Sequence, residues 1–104
     1  MFFTGKYTKI GRQVTVAIYF ENVNTTGAAG YAFVSGLPFT EDGTRAVGTA
    51  ATYNFDLNTG TSVFADIAST SVYLVASKDD AAWIDVLHNA GAGRDLRITV
   101  TYFV

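Results

Sequence analysis

Two stretches of this chain alternate apolar and polar residues with a period of two, and nothing else in it limits the fold so strongly. In 13–21, Val14, Val16, Ile18 and Phe20 lie on one side and Thr15, Ala17, Tyr19 and Glu21 on the other. In 95–104, Leu96, Ile98, Val100, Tyr102 and Val104 oppose Arg97, Thr99, Thr101 and Phe103. Side chains of a strand point alternately to its two faces, so each stretch reads as a strand with one face in a core. Val14, Val16, Ile18, Phe20, Leu96, Ile98 and Val100 are the expected core contributors. Shorter runs rich in Val, Thr, Tyr and Phe at 6–10, 31–35, 49–57, 62–68, 71–77 and 82–88 bring the total to about eight strands. Between them fall turn-forming clusters such as Glu41-Asp42-Gly43-Thr44 and Asn89-Ala90-Gly91-Ala92-Gly93. This rhythm predicts an all-β fold: an antiparallel β-sandwich, jelly-roll-like, forming a single domain over 1–104.

One segment leaves a choice. In 78–89, Asp79 or Asp80 could cap a helix that buries Trp83, Val86 and Leu87. The strand reading, with Ala82, Ile84 and Val86 opposite Trp83, Asp85 and Leu87, is preferred because every neighbouring element alternates with period two.

Composition removes several functions. Seven Lys and Arg against nine Asp and Glu give a formal charge of -2, without the basic excess that nucleic-acid binding by counterion release requires. Cysteine is absent, so disulfide scaffolds, thiolate metal sites and cysteine nucleophiles drop out. No apolar run approaches the roughly 20 residues of a membrane-spanning helix, and the first five residues have no signal-peptide pattern, so no membrane insertion is expected. The single histidine, His88, cannot supply a triad with scattered serines. The acids Asp56, Asp66, Asp79, Asp80 and Asp85 could pair as in a glycosidase, but any β-domain with nine acids offers such pairs. Asp79-Asp80 lacks the alternating oxygen ligands of a calcium loop, and Asn89–Gly93 has no helix after it to cradle a phosphate. No enzymatic activity, cofactor or metal is expected.

The fifteen aromatic residues, six Tyr, eight Phe and one Trp, read mainly as core. An aromatic left exposed beside Asp and Asn has another use: the ring stacks on the apolar face of a sugar while short polar side chains take its hydroxyls.

Two parts of the chain resemble a known group. Thr4-Gly5-Lys6-Tyr7-Thr8-Lys9-Ile10-Gly11-Arg12-Gln13-Val14-Thr15-Val16 is similar to the opening of the small C-terminal β-domains of bacteriophage tail fibres and tailspikes. Ser35-Gly36-Leu37-Pro38-Phe39-Thr40 resembles the step that follows there, and Ala82-Trp83 with Asp95-Leu96-Arg97-Ile98-Thr99-Val100-Thr101-Tyr102 resembles the closing strands. The likeness covers about the first 40 residues and the last 25; the middle matches only in strand rhythm. It implies a fibre-tip domain in the virion, commonly homotrimeric, attached to the rest of a tail fibre or tailspike and acting at the host surface. Such domains normally close a much longer chain, whereas here Met1 directly precedes the motif.

Two functions follow as expectations. The first is binding of a bacterial cell-surface glycan through Trp83, with Asp79, Asp80, Asn58 and Asn89 as polar partners and a neutral or basic sugar as ligand. The second is a structural module that trimerises or caps a fibre without touching receptor. Tyr19, Phe64, Tyr73 and Phe103, opposite the core residues, would leave apolar surface for association in either case.

Overall fold

The computed structural model describes residues 2–27, 30, 32–57, 60–87 and 91–104, with the backbone alone for Phe2 and Phe3. Eight strands form among the described residues: β1 (Phe2–Ile10), β2 (Gln13–Val23), β3 (Phe33–Ser35), β4 (Val47–Tyr53), β5 (Ser62–Ala68), β6 (Ser71–Ser77), β7 (Ile84–Asp85) and β8 (Arg94–Phe103). Every pairing is antiparallel, and no helix appears among the described residues. The all-β class expected from the alternation is the one observed. Asn58, His88, Asn89 and Tyr31 lie outside the described residues.

Within that class the sheet is continuous, in the order β1-β2-β8-β4-β5-β6-β3, with β7 also on β6. A sandwich would divide it into two hydrogen-bonded sheets; here the two halves stay joined through β4. That strand pairs with β5 through Val47, Gly48 and Thr49 and with β8 from Thr49 to Tyr53. Its inward positions, Gly48, Ala50 and Thr52, are all small, which lets the sheet bend sharply there. A Cβ on Gly48 would lie 2.4 Å from the Thr99 carbonyl oxygen and 2.6 Å from the Val100 Cβ, so the close approach of β4 to β8 depends on its absence.

The curled halves close over one core. Val14, Val16 and Ile18 of β2 and Leu96, Ile98, Val100 and Tyr102 of β8 meet Ala65, Ile67, Val72, Leu74 and Ala76 of β5 and β6. Phe20, expected among the core residues, is half-buried at its margin. The molecule measures 39 × 37 × 18 Å, a slab whose thickness suits two sheet layers about 10 Å apart. The outer edges, β1 and β3, face each other across a mostly apolar cleft of ≈ 250 Å³ lined by Gly5, Tyr7, Val16, Ile18, Val34 and Leu37 among others.

The turn motifs do what their chemistry predicts. Ile10 pairs with Gln13 across a two-residue turn in which Gly11 takes φ 60°, a backbone region open to glycine. After β3, the N–H groups of Gly36 and Leu37 both donate to the Thr70 carbonyl. Leu37 is buried and Phe39 packs against the core, as expected for a Leu-Pro-Phe step that leaves the ladder. The Tyr102 hydroxyl, at the end of the inward row of β8, donates to the Phe39 carbonyl at 2.9 Å and fastens this segment from below. Burial raises the pKa of that phenol above 10.0. At the same end, Arg12 pairs with Asp42 at 2.9 Å and donates through Nε to the Val104 carbonyl at 2.8 Å, tying the first turn to the last residue.

Candidate functional site

The Trp83 segment is held in place by backbone before any side chain acts. After β6 the chain turns through Lys78–Asp80, where Asp80 has φ 51°, and returns as β7 with Ala76 opposite Ile84 and Val75 opposite Asp85. β7 and β3 share one edge of β6, because β3 pairs with Ser71, Val72 and Tyr73 further along. The Val86 N–H donates to the Leu74 carbonyl at 3.1 Å, the Ala32 N–H donates to the Val86 carbonyl at 2.7 Å, and Asp56 and Leu87 exchange N–H···O bonds of 3.2 and 2.8 Å. Such pairing on both sides of the segment leaves its side chains little choice of face.

Ile84 packs on the core and Val86 is fully buried. Trp83 and Asp85 therefore take the outer side, as the strand reading predicts for 83–86; Ala82, expected on the core face with Ile84 and Val86, is instead exposed, because it lies ahead of β7 and outside its pairing. The regular pairing is shorter than the expected 82–88, because the hydrogen bonds after Asp85 go to two different neighbours, Leu74 and Asp56.

Trp83 is 59% exposed yet does not stand alone. Its ring meets Phe64 of β5 edge-on, with centroids 5.7 Å apart and planes at 76°. Since β7 and β5 flank β6, this contact has to pass over β6. Val75 lies between Asp85 and Phe64 in the register and is only 3% exposed despite its place on the outer face. The two rings thus form a bridge with an apolar residue sealed beneath it. In the next row Phe33 stacks on Tyr73, with centroids at 5.3 Å and planes at 25°, and Tyr73 is opposite Asp66. The result is an outer face carrying two aromatic pairs with Asp66 and Asp85 among them.

Of the residues expected from the sequence to form the site, Trp83 is on this face, and Asp79 and Asp80 are exposed in the turn that leads to it. Asn58 and Asn89 lie outside the described residues. Sequence reasoning did not join Phe64 to Trp83, nor place the row of Phe33, Tyr73 and Asp66 on the same face. Strand parity places each of them on an outer face, but which outward residues become neighbours depends on the pairing of β5, β6, β3 and β7.

No family model matches the chain, and no curated protein or solved structure matches it either. Exposed rings fixed by edge and stacking contacts offer flat apolar surface at little ordering cost. Carboxylates between them accept hydrogen bonds from hydroxyl groups. With Asp66 and Asp85 among its rings the face is acidic, which suits an uncharged or cationic ring with several hydroxyls better than an anion.

Proposed function

We propose that this chain is the receptor-binding tip domain of a phage tail fibre or tailspike, and that it binds bacterial surface carbohydrate through the Trp83 face. It works in the virion as a binding module rather than an enzyme, as a homotrimer attached to the rest of the fibre. The observation that carries the reading is the bridge of Trp83 on Phe64: a tryptophan 59% exposed but held by a second ring and flanked by Asp85. A core tryptophan would be buried. The likeness of both ends of the chain to fibre-tip domains supplies the biological setting.

Each site is expected to bind weakly, with Kd from about millimolar to micromolar, or about −4 to −8 kcal/mol. Three copies on a trimer would raise the avidity on a repeating polysaccharide.

A second reading is favoured by one observation: Phe33, Val47 and Trp83 are exposed by 47%, 59% and 59% on this face, enough apolar surface to join copies of a structural module. Trp83→Ala separates the two. As a sugar platform, the variant loses signal on an array of bacterial glycans while its mass by light scattering stays that of the wild-type assembly. As an interface, the variant dissociates. A wild-type chain that binds no glycan on the array overturns the first reading, and a monomeric mass at high micromolar concentration overturns the trimer.

A further inference from the structure

The opposite half of the sheet holds a second cluster, chemically unlike the first. On the outer face of β2, β8 and β4, the register sets Tyr19, Arg97 and Ala51 side by side, with Asp95 opposite Tyr53 one step along. The Arg97 guanidinium lies over the Tyr19 ring, 4.8 Å from its centroid. No carboxylate of the described residues comes within 4 Å of Arg97. Its nearest acid along the strand is turned to other work: Asp95 Oδ1 accepts the Asn22 N–H at 2.8 Å. Asn22 sits at φ 56° in the irregularity between Phe20 and Val23, where β2 slips its register on β8. A bulge of this kind re-aims the groups around it. Here it gives Asp95 Oδ1 a backbone partner, and Arg97 makes no ion pair within 4 Å among the described residues.

Beside Arg97 the methyl group of Ala51 leaves a depression of ≈ 190 Å³, lined by Ala51, Thr52, Tyr53, Asp95 and Arg97. Tyr53, at its side, is 61% exposed. The elements are a planar cation fixed by an aromatic ring, a shallow floor, a free aromatic wall and one carboxylate oxygen left to accept a hydroxyl.

We propose that this depression is a binding site for an acidic saccharide: Arg97 takes the carboxylate of a uronic acid, the sugar ring lies against Tyr53, and Asp95 accepts a ring hydroxyl. Guanidinium and carboxylate match as two parallel N–H···O bonds, and the cation–π contact with Tyr19 holds the guanidinium in place without neutralising it. Tyr53 and Asp95 favour a hydroxylated ring over a bare anion. The assignment rests on the glycan-binding reading only for the class of the ligand. Its residues lie on the other half of the sheet from Trp83, so the two sites differ in the charge they prefer.

Calorimetric titration of the intact chain with trigalacturonate, and with the neutral galactose trisaccharide as its uncharged counterpart, tests this. In the Trp83→Ala chain, where the Trp83 face cannot take up the neutral sugar, the acidic trisaccharide should bind at least about tenfold more tightly than the neutral one, and less tightly as salt rises. Arg97→Gln should abolish the preference, Arg97→Lys should weaken it because an ammonium has no planar fork, and Tyr53→Ala should weaken binding of the acidic sugar. Trp83→Ala should leave it unchanged. Inorganic phosphate should bind more weakly than the trisaccharide; equal affinity would reduce the site to a simple anion site and overturn the proposal. Equal binding of acidic and neutral sugars by the Trp83→Ala chain would also overturn it, as would an Arg97→Gln chain that melts like wild type and still binds trigalacturonate normally. If Trp83→Ala loses no glycan signal while Arg97→Gln does, the Trp83 reading fails and this one stands.

Discussion

Gly48→Ala is the smallest change that tests how the sheet bends. The added methyl carbon would fall 2.4 Å from the Thr99 carbonyl oxygen, 2.6 Å from the Val100 Cβ and 2.9 Å from the Val100 Cα, whereas ordinary contact begins near 3.4 Å. Two of these three atoms are backbone, in a strand pinned between β2 and β4, so no side-chain rotation relieves the clash. About 1 Å of separation between β4 and β8 is needed, at the point where β4 passes from one partner to the other. Overpacking of this kind costs about 1–3 kcal/mol, and each ladder hydrogen bond lost at the bend adds about 1 kcal/mol. A total of about 3 kcal/mol is a large part of the 5–15 kcal/mol of a typical domain and lowers the melting temperature by roughly 12–24 °C. The assay is thermal and urea unfolding followed by circular dichroism, with Gly43→Ala as control. Gly43 has φ 92° and nothing within 4 Å of its would-be Cβ, so its substitution costs only the backbone conformation, about 1 kcal/mol. If Gly48→Ala melts within a few degrees of wild type, or above Gly43→Ala, the tight bend at β4 is not what joins the two halves.

Trp83→Ala removes a side chain that is four-tenths buried and half of an aromatic pair, so a loss of about 1–2 kcal/mol is expected, less than the 3–5 kcal/mol of a fully buried ring; urea titration measures it. Tyr102→Phe leaves the Phe39 carbonyl without its donor and should cost about 1–2 kcal/mol in the same titration. Because burial holds the folded phenol above 10.0, the stabilisation is complete below that pH and is lost as pH rises past it. Tyr102→Phe should lack this alkaline loss in melts taken from pH 8 to 11. The Thr44 hydroxyl and N–H groups, with Arg12 adding its charge, hold the Asp42 carboxyl below its ordinary 3.8; that stabilisation is present above 3.8 and disappears as pH falls below it. Asp42→Asn should therefore flatten the acid side of the melting profile between pH 4 and 2.

The strands were legible because alternation is a local signal. The runs at 62–68 and 71–77 match β5 and β6 to the residue, and the two long alternating stretches become β2 and β8 with a residue or two of difference at their ends. β1 extends four residues further back than expected, through Thr4 and Gly5, since an edge strand paired with a regular neighbour continues for as long as that neighbour supplies hydrogen bonds. The continuous sheet was not legible. Whether two halves form separate sheets depends on how β4 divides its pairing between β5 and β8, and the only local trace of that is the row of small residues at Gly48, Ala50 and Thr52.

The same distinction explains the two candidate sites. Trp83 and Asp85 could be assigned to one face because they are two residues apart in one extended segment. Phe64 could not be joined to them, because it reaches Trp83 across an intervening strand. Arg97 is the stronger case. It follows the alternation of β8 and reads only as an outward, solvated charge until β8 is known to lie between β2 and β4. That placement puts Tyr19 beneath its guanidinium, Ala51 beside it and Tyr53 diagonally across. It also sets Asp95 against the Asn22 N–H. Residues 78 and 46 positions away in sequence thereby change a surface arginine into a fixed cation beside a hollow. The chemistry of a β-domain's face lies in the pairs its register creates, and a period-two pattern names the members of those pairs without saying who meets whom.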